Sequence, residues 1–124
     1  MRRMTDKPRT YAFDFDGVIA RNDGFKGHEH ANEPIPETVE AIRALKAKGH
    51  KILIYSTRSS RFLRDYCEKH DIPIDYYNEN PDTPAPNMGK PVAYVYIDDR
   101  AIRYTGQSAQ ALVDEIENFR AYWK

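Results

Sequence analysis

Little in this 124-residue chain would staple it, anchor it in a bilayer or draw it to a polyanion. It has one cysteine, Cys67, so no disulfide can form within the chain, and a reducing compartment is expected. No apolar run approaches the ~20 residues needed to cross a membrane. The segment Met1 to Arg9 carries charge with no apolar stretch after it, which is not the pattern of a signal peptide. No membrane association and a cytoplasmic location are therefore expected. Lys and Arg total 19 and Asp and Glu total 19, a net charge of zero, so nothing general about the electrostatics favours nucleic acid or an anionic surface. No repeat or low-complexity tract breaks the chain, and its length suits one domain, residues 1–124, with an N-terminal arm over 1–9.

What is present is a set of short apolar runs that end in reactive side chains. Tyr11-Ala12-Phe13 leads into Asp14-Phe15-Asp16-Gly17, where two carboxylates stand one residue apart before a glycine. Side chains alternate along an extended chain, so Asp14 and Asp16 can face the same way while Gly17 lets the backbone turn. Two close carboxylates repel, and a cation or a shared proton is the usual reason to keep them together. A second run, Ile52-Leu53-Ile54-Tyr55, ends in Ser56-Thr57-Arg58; a third, Val92 to Ile97, ends in Asp98-Asp99-Arg100. Gly89-Lys90-Pro91 places a lysine on a loop just before the third run.

The layout alternates strand and helix, which predicts an α/β fold with a parallel Rossmann-like sheet in a three-layer α/β/α sandwich. Val39, Ile42 and Leu45 form one stripe of a helix over Pro36 to Lys48 that stops at Gly49. A strand over Lys51 to Tyr55 follows, and Ser59 or Ser60 can cap a second helix reaching about His70. Cys67 shares helical spacing with Phe62, Leu63 and Tyr66 and reads as a core residue. Ile74 to Tyr77 reads as a short strand, and Val92 to Ile97 as a strand buried on both faces, with Tyr94 and Tyr96 packing in the core. A last helix, from about Ser108 to Trp123, puts Ala109, Leu112, Val113, Ile116 and Phe119 on one side, where they should cover the sheet. In a parallel sheet ligands bind outside the carboxyl ends of the strands, so the three acidic and hydroxyl-bearing tips should meet at one site. Carboxylates, a hydroxyl and a lysine around one point suit magnesium-dependent phosphoryl transfer.

In this order the motifs resemble those of the haloacid dehalogenase-like (HAD) hydrolase superfamily over nearly the whole chain. Asp14-Phe15-Asp16-Gly17 matches the first motif, Ser56 the hydroxyl motif, Lys90 the lysine motif and Asp98-Asp99 the acidic fourth motif. The resemblance implies a Rossmann-like core, Mg2+ and a phosphoaspartyl intermediate. By that resemblance Asp14 is the nucleophile, and Asp16 is the general acid and base and lends a backbone carbonyl to the metal. Asp98 is then the preferred metal ligand, with Asp99 orienting a metal-bound water or Lys90. Ser56 donates to a phosphoryl oxygen, with Thr57 an alternative for that position, and Lys90 offsets charge on nucleophile and phosphate. Arg58 is a candidate for touching phosphate or substrate.

Family cap domains are inserted after the first motif or between the hydroxyl and lysine motifs. Here the first gap holds only a short polar flap, Val18 to Ile35, so the chain resembles a capless phosphatase. The flap carries Arg21, Asn22, Asp23, Lys26, His28, Glu29 and His30, which could meet a substrate; two histidines without a placed third ligand read as solvated. The Asn80 to Pro91 segment, with four prolines, reads as an ordered loop that must hold Lys90. The expected partner is a phosphorylated substrate, small or macromolecular, with an oligomer partner as the other way to cover a capless site. Alternatives are a polynucleotide-end phosphatase, since an open site admits a polymer, a non-catalytic HAD-fold binding protein, and a receiver-type signalling domain, whose acid order fits less well.

Overall fold

A computed structural model describes residues 7–24, 26–83 and 89–124; residues 1–6 of the arm and Pro84 and Pro86 of the proline-rich loop lie outside this range. The element order is β1 (Thr10–Phe13), α1 (Pro36–Ala47), β2 (Lys51–Ile54), α2 (Ser60–Lys69), β3 (Tyr76–Tyr77), β4 (Val95–Ile97) and α3 (Ala109–Glu117). The four strands form one all-parallel sheet in the order β3-β2-β1-β4. This is the expected α/β architecture. Each strand returns to the sheet by a crossover, which a parallel pair requires.

The helices begin where local chemistry allows. Pro36 opens α1 at a position whose N–H has no helical partner to lose. Gly49, at φ +89°, follows the last turn in the left-handed region, and Lys51 starts β2 two residues later. Ser59 caps α2, its hydroxyl accepting from the Phe62 N–H at 3.1 Å, and Ser108 does the same for α3 through Ala111 at 3.2 Å. One apolar cluster then joins the sheet to both earlier helices: Phe13, Ile52 and Ile54 from the strands, Val39 and Ile42 from α1, Leu63, Tyr66 and Cys67 from α2. Phe15, Val18, Ile19 and Ala20 complete it from the turn after β1, so the acidic motif is rooted in the core by its own neighbours.

Two expectations fail at the β4 side. Val92 is 56% exposed, Tyr94 65% and Val95 43%, so this strand is not buried on both faces. The sheet order explains it: β4 is an edge strand, paired to β1 alone, and only its last three residues join the sheet. Tyr94 lies under the Arg9 guanidinium at 3.7 Å, and Tyr96 turns its hydroxyl to the Pro91 carbonyl, neither being a core residue. The last helix is also shorter than expected, ending at Glu117, and none of its residues is buried; Val113, Ile116 and Phe119 remain exposed rather than covering the sheet.

The flap closes on itself as a narrow loop. The Arg21 N–H donates to Glu33 O and the Ile35 N–H to Ile19 O, which fastens its two ends together. Tyr66 of α2 donates to Asn32 O at 2.6 Å and fixes the returning arm.

Candidate active site

Strand register decides which tips meet. Phe13 pairs with Ile54 on one side and Ile97 on the other, and Ile54 pairs with Tyr77. The next residue of each strand therefore emerges at one level: Asp14, Tyr55, Asp98 and Asn78 stand side by side along the carboxyl edge. Backbone bonds hold them there, Asp14 N–H to Ile97 O at 2.9 Å, Tyr55 N–H to Phe13 O at 3.1 Å and Asn78 N–H to Ile54 O at 2.7 Å.

Asp14, Asp98 and Asp99 bring one carboxylate oxygen each to within 4.8 Å of one another. Burial pushes the Asp14 carboxyl up to about 8, and the Asp99 carboxylate, which a protonated Asp14 can hydrogen-bond, adds to this, as do the charges of Asp98 and Asp99. The Phe15 N–H, 2.8 Å from Asp14 Oδ1, opposes the shift without cancelling it. Asp98 is already supplied with donors, the Tyr55 hydroxyl at 2.6 Å and the Arg100 N–H at 2.8 Å. Asp99 receives the Trp123 indole N–H on Oδ2 at 2.6 Å, while its Oδ1 is buried without a donor. A buried carboxylate oxygen with no N–H or hydroxyl donor among three acids fits a proton shared with Asp14 in the metal-free protein, or a hard cation with an oxygen preference that all three side chains can serve.

A cavity of about 590 Å³ opens beside these acids, and Asp14, Ser56, Thr57, Lys90 and Asp98 share its wall. Ser56 is held from two directions: its N–H donates to Asn78 Oδ1 at 2.8 Å, and its hydroxyl oxygen accepts the Arg58 N–H at 3.1 Å. Lys90 is exposed and lies 4.2 Å over the Tyr96 ring, a resting position from which its flexible stem can reach the cavity.

Asp16 and Arg58 are placed elsewhere. The Asp16 side chain is not among the three clustered acids; its two oxygens take Arg58 Nε at 2.9 Å and Arg58 Nη2 at 3.0 Å. Nη1 of the same arginine donates to His28 O at 2.7 Å and Gly27 O at 3.4 Å, and the guanidinium lies 4.8 Å from the Phe62 ring. At 7% exposure Arg58 is thus a buried tie between the acidic motif and the flap rather than an arm open to phosphate.

Four residues that sequence reading passed over take part. Tyr55 read as the last apolar residue of its strand and Tyr122 and Trp123 as the end of an amphipathic helix, and Asn78 fell between a short strand and the proline-rich loop. Asn78 adopts φ +60°, which asparagine tolerates better than most residues, and its amide donates to Arg58 O and Ser60 Oγ. Tyr122 donates to Gly17 O at 2.6 Å. The two histidines of the flap are exposed, and the three aspartates are the one group of metal-ligating side chains among the described residues. Cys67 is buried and its thiol is pushed up to about 12 by burial, as befits a core residue. Among the described residues no helix is long and apolar enough to cross a membrane.

No protein-family model matches the chain, and no curated protein matches it. The fold does have counterparts among solved structures. A conserved protein from Bacteroides thetaiotaomicron is 24% identical with a TM-score of 0.63, the match covering 90% of each chain. A structural-genomics target from Vibrio cholerae is 20% identical with a TM-score of 0.50, over 88% of this chain and 97% of the other. At these identities the likeness concerns the fold: a small α/β domain with an all-parallel sheet.

Proposed function

We propose that this chain is a HAD-type phosphohydrolase that cleaves phosphate monoesters with Mg2+ through a phosphoaspartyl intermediate. The observation that carries the reading is a cluster of three aspartates, two of which, Asp14 and Asp98, line the same cavity as Ser56, Thr57 and Lys90. A Mg2+ held by Asp14, Asp98 and Asp99 would offset most of their combined charge and polarise the phosphoryl oxygens. Asp14 then attacks phosphorus, the bond from phosphorus to the ester oxygen breaks, and an acyl phosphate forms on its carboxylate. The leaving alkoxide takes a proton from Asp16. Water attacks the acyl phosphate and returns a proton to Asp16, so ester and water become alcohol and inorganic phosphate. Ser56 and Lys90 steady the equatorial oxygens during both transfers.

Asp16 can play that part only once its fork with Arg58 loosens, because both its oxygens are engaged in the resting arrangement. The test is hydrolysis of an aryl phosphate with and without Mg2+, beside Asp14→Asn. Turnover that needs the metal and vanishes in the variant is expected; full activity in Asp14→Asn would overturn the assignment.

A further inference from the structure

The chain's last residues return to its first acidic motif. Trp123 Nε1 donates to Asp99 Oδ2 at 2.6 Å, and one residue earlier the Tyr122 hydroxyl donates to Gly17 O at 2.6 Å. Ala121, 5% exposed, seats this short segment in the body of the protein. The contact is close on every side: a Cβ on Gly17 would stand 2.2 Å from Asp99 Oδ2 and 2.9 Å from Trp123 Nε1. Gly17, Asp99 and Trp123 thus pack as one unit in which no side chain at position 17 would fit.

We infer that Trp123 is a positioning residue of the cation site: its indole N–H fixes the rotation of the Asp99 carboxylate so that Oδ1 faces the cation. The geometry accounts for both oxygens. Oδ2 is taken by the indole, so Oδ1, buried and receiving no N–H or hydroxyl, is the oxygen Asp99 has left to offer a cation beside Asp14 and Asp98. A carboxylate free to rotate would instead hydrogen-bond through either oxygen and lose part of its time as a ligand. Donors that hold a metal ligand in orientation typically carry 10–100-fold of the metal affinity. Tyr122 serves the same unit from the other side by holding the turn at Gly17.

This inference rests on reading the three aspartates as a Mg2+ site, and its test does not require turnover. Calorimetric titration with Mg2+ is expected to show about tenfold or weaker affinity in Trp123→Phe, which keeps an aromatic ring and loses the donor. Affinity within twofold of the unsubstituted protein overturns the inference and leaves the cation site standing. Absence of Mg2+ binding in the unsubstituted protein overturns both, whereas binding without phosphatase activity overturns only the proposed reaction. A second reading avoids any folding defect of the variant. Trp123 is the only tryptophan, so its emission should shift during Mg2+ titration with the calorimetric midpoint, and Asp99→Asn should abolish that shift. Emission that ignores a binding event seen by calorimetry overturns the inference.

Discussion

Arg58 grips Asp16 with a two-pronged fork, Nε to Oδ2 at 2.9 Å and Nη2 to Oδ1 at 3.0 Å, while its remaining nitrogen holds the flap carbonyls of Gly27 and His28. One buried cation therefore links the turn after β1, the start of α2 and the flap.

Arg58→Ala should cost about 2 kcal/mol of stability, since charge-assisted bonds are lost while the half-exposed Asp16 carboxylate can recover water. Arg58→Lys should recover little of it, because an ammonium cannot make the paired fork and reach the flap carbonyls together. Urea denaturation of the three proteins checks the order.

The Asp14 carboxyl has its proton held to about pH 8 in the folded chain against an ordinary value of 3.8. Below about pH 4 both folded and unfolded chains keep that proton. Between there and pH 8 the folded chain holds a proton that the unfolded chain has released, so the metal-free protein should lose stability as pH rises through this window. Asp14→Asn should flatten that slope and raise the melting temperature of the metal-free protein at pH 8. Added Mg2+ should raise it in the unsubstituted protein alone. A melting temperature of the unsubstituted, metal-free protein that climbs from pH 5 to pH 8 would contradict the account.

Gly17→Ala should disable the site more than it unfolds the chain. The position needs φ +85°, and the added methyl carbon would fall 2.2 Å from Asp99 Oδ2, forcing Asp99 and Trp123 apart. Loss of Mg2+ affinity of at least tenfold is expected by calorimetry, on the scale of an orienting contact broken.

Asn78→Ala should cost about 2–3 kcal/mol, combining a left-handed backbone that alanine resists with lost hydrogen bonds to Ser56, Arg58 and Ser60. Asn78→Gly should recover the backbone part and not the rest. Comparison of the two by thermal unfolding separates the contributions.

Lys90→Ala is expected to lower kcat for an aryl phosphate about 10²–10³-fold with the fold unchanged, as loss of one charge-stabilising donor does. The residue is exposed and its contact with the Tyr96 ring lies at the surface, so unchanged circular dichroism should accompany the loss.

Much of this was legible along the chain. Three apolar runs of strand length, each closing on acids or hydroxyls, already required parallel strands whose tips meet, and the helical stripes of Val39 with Ile42 and of Leu63 with Cys67 pack as their spacing says. Periodicity could not tell that the stripe of Val113 and Ile116 stays exposed, because an amphipathic pattern states which side is apolar and not what lies opposite it. The run from Val92 likewise read as buried because its composition is that of an interior strand. Its exposure follows from lying at the sheet edge, a property of strand order alone.

What the sequence by itself determined is the set of local facts: the order of strands and helices, a serine cap at the start of the second helix, the turn at Gly17, and the chemical identity of the acids at each strand end. Only the tertiary structure decided which groups share a point in space. Asp14 meets Asp98 and Asp99 while Asp16, two residues along, is taken by Arg58; Trp123 reaches Asp99 across 24 residues and Tyr122 reaches Gly17 across 105. Local propensities act over a few residues, whereas these pairings depend on strand register, on strand order and on where the chain end is seated, and no short stretch of sequence carries that information.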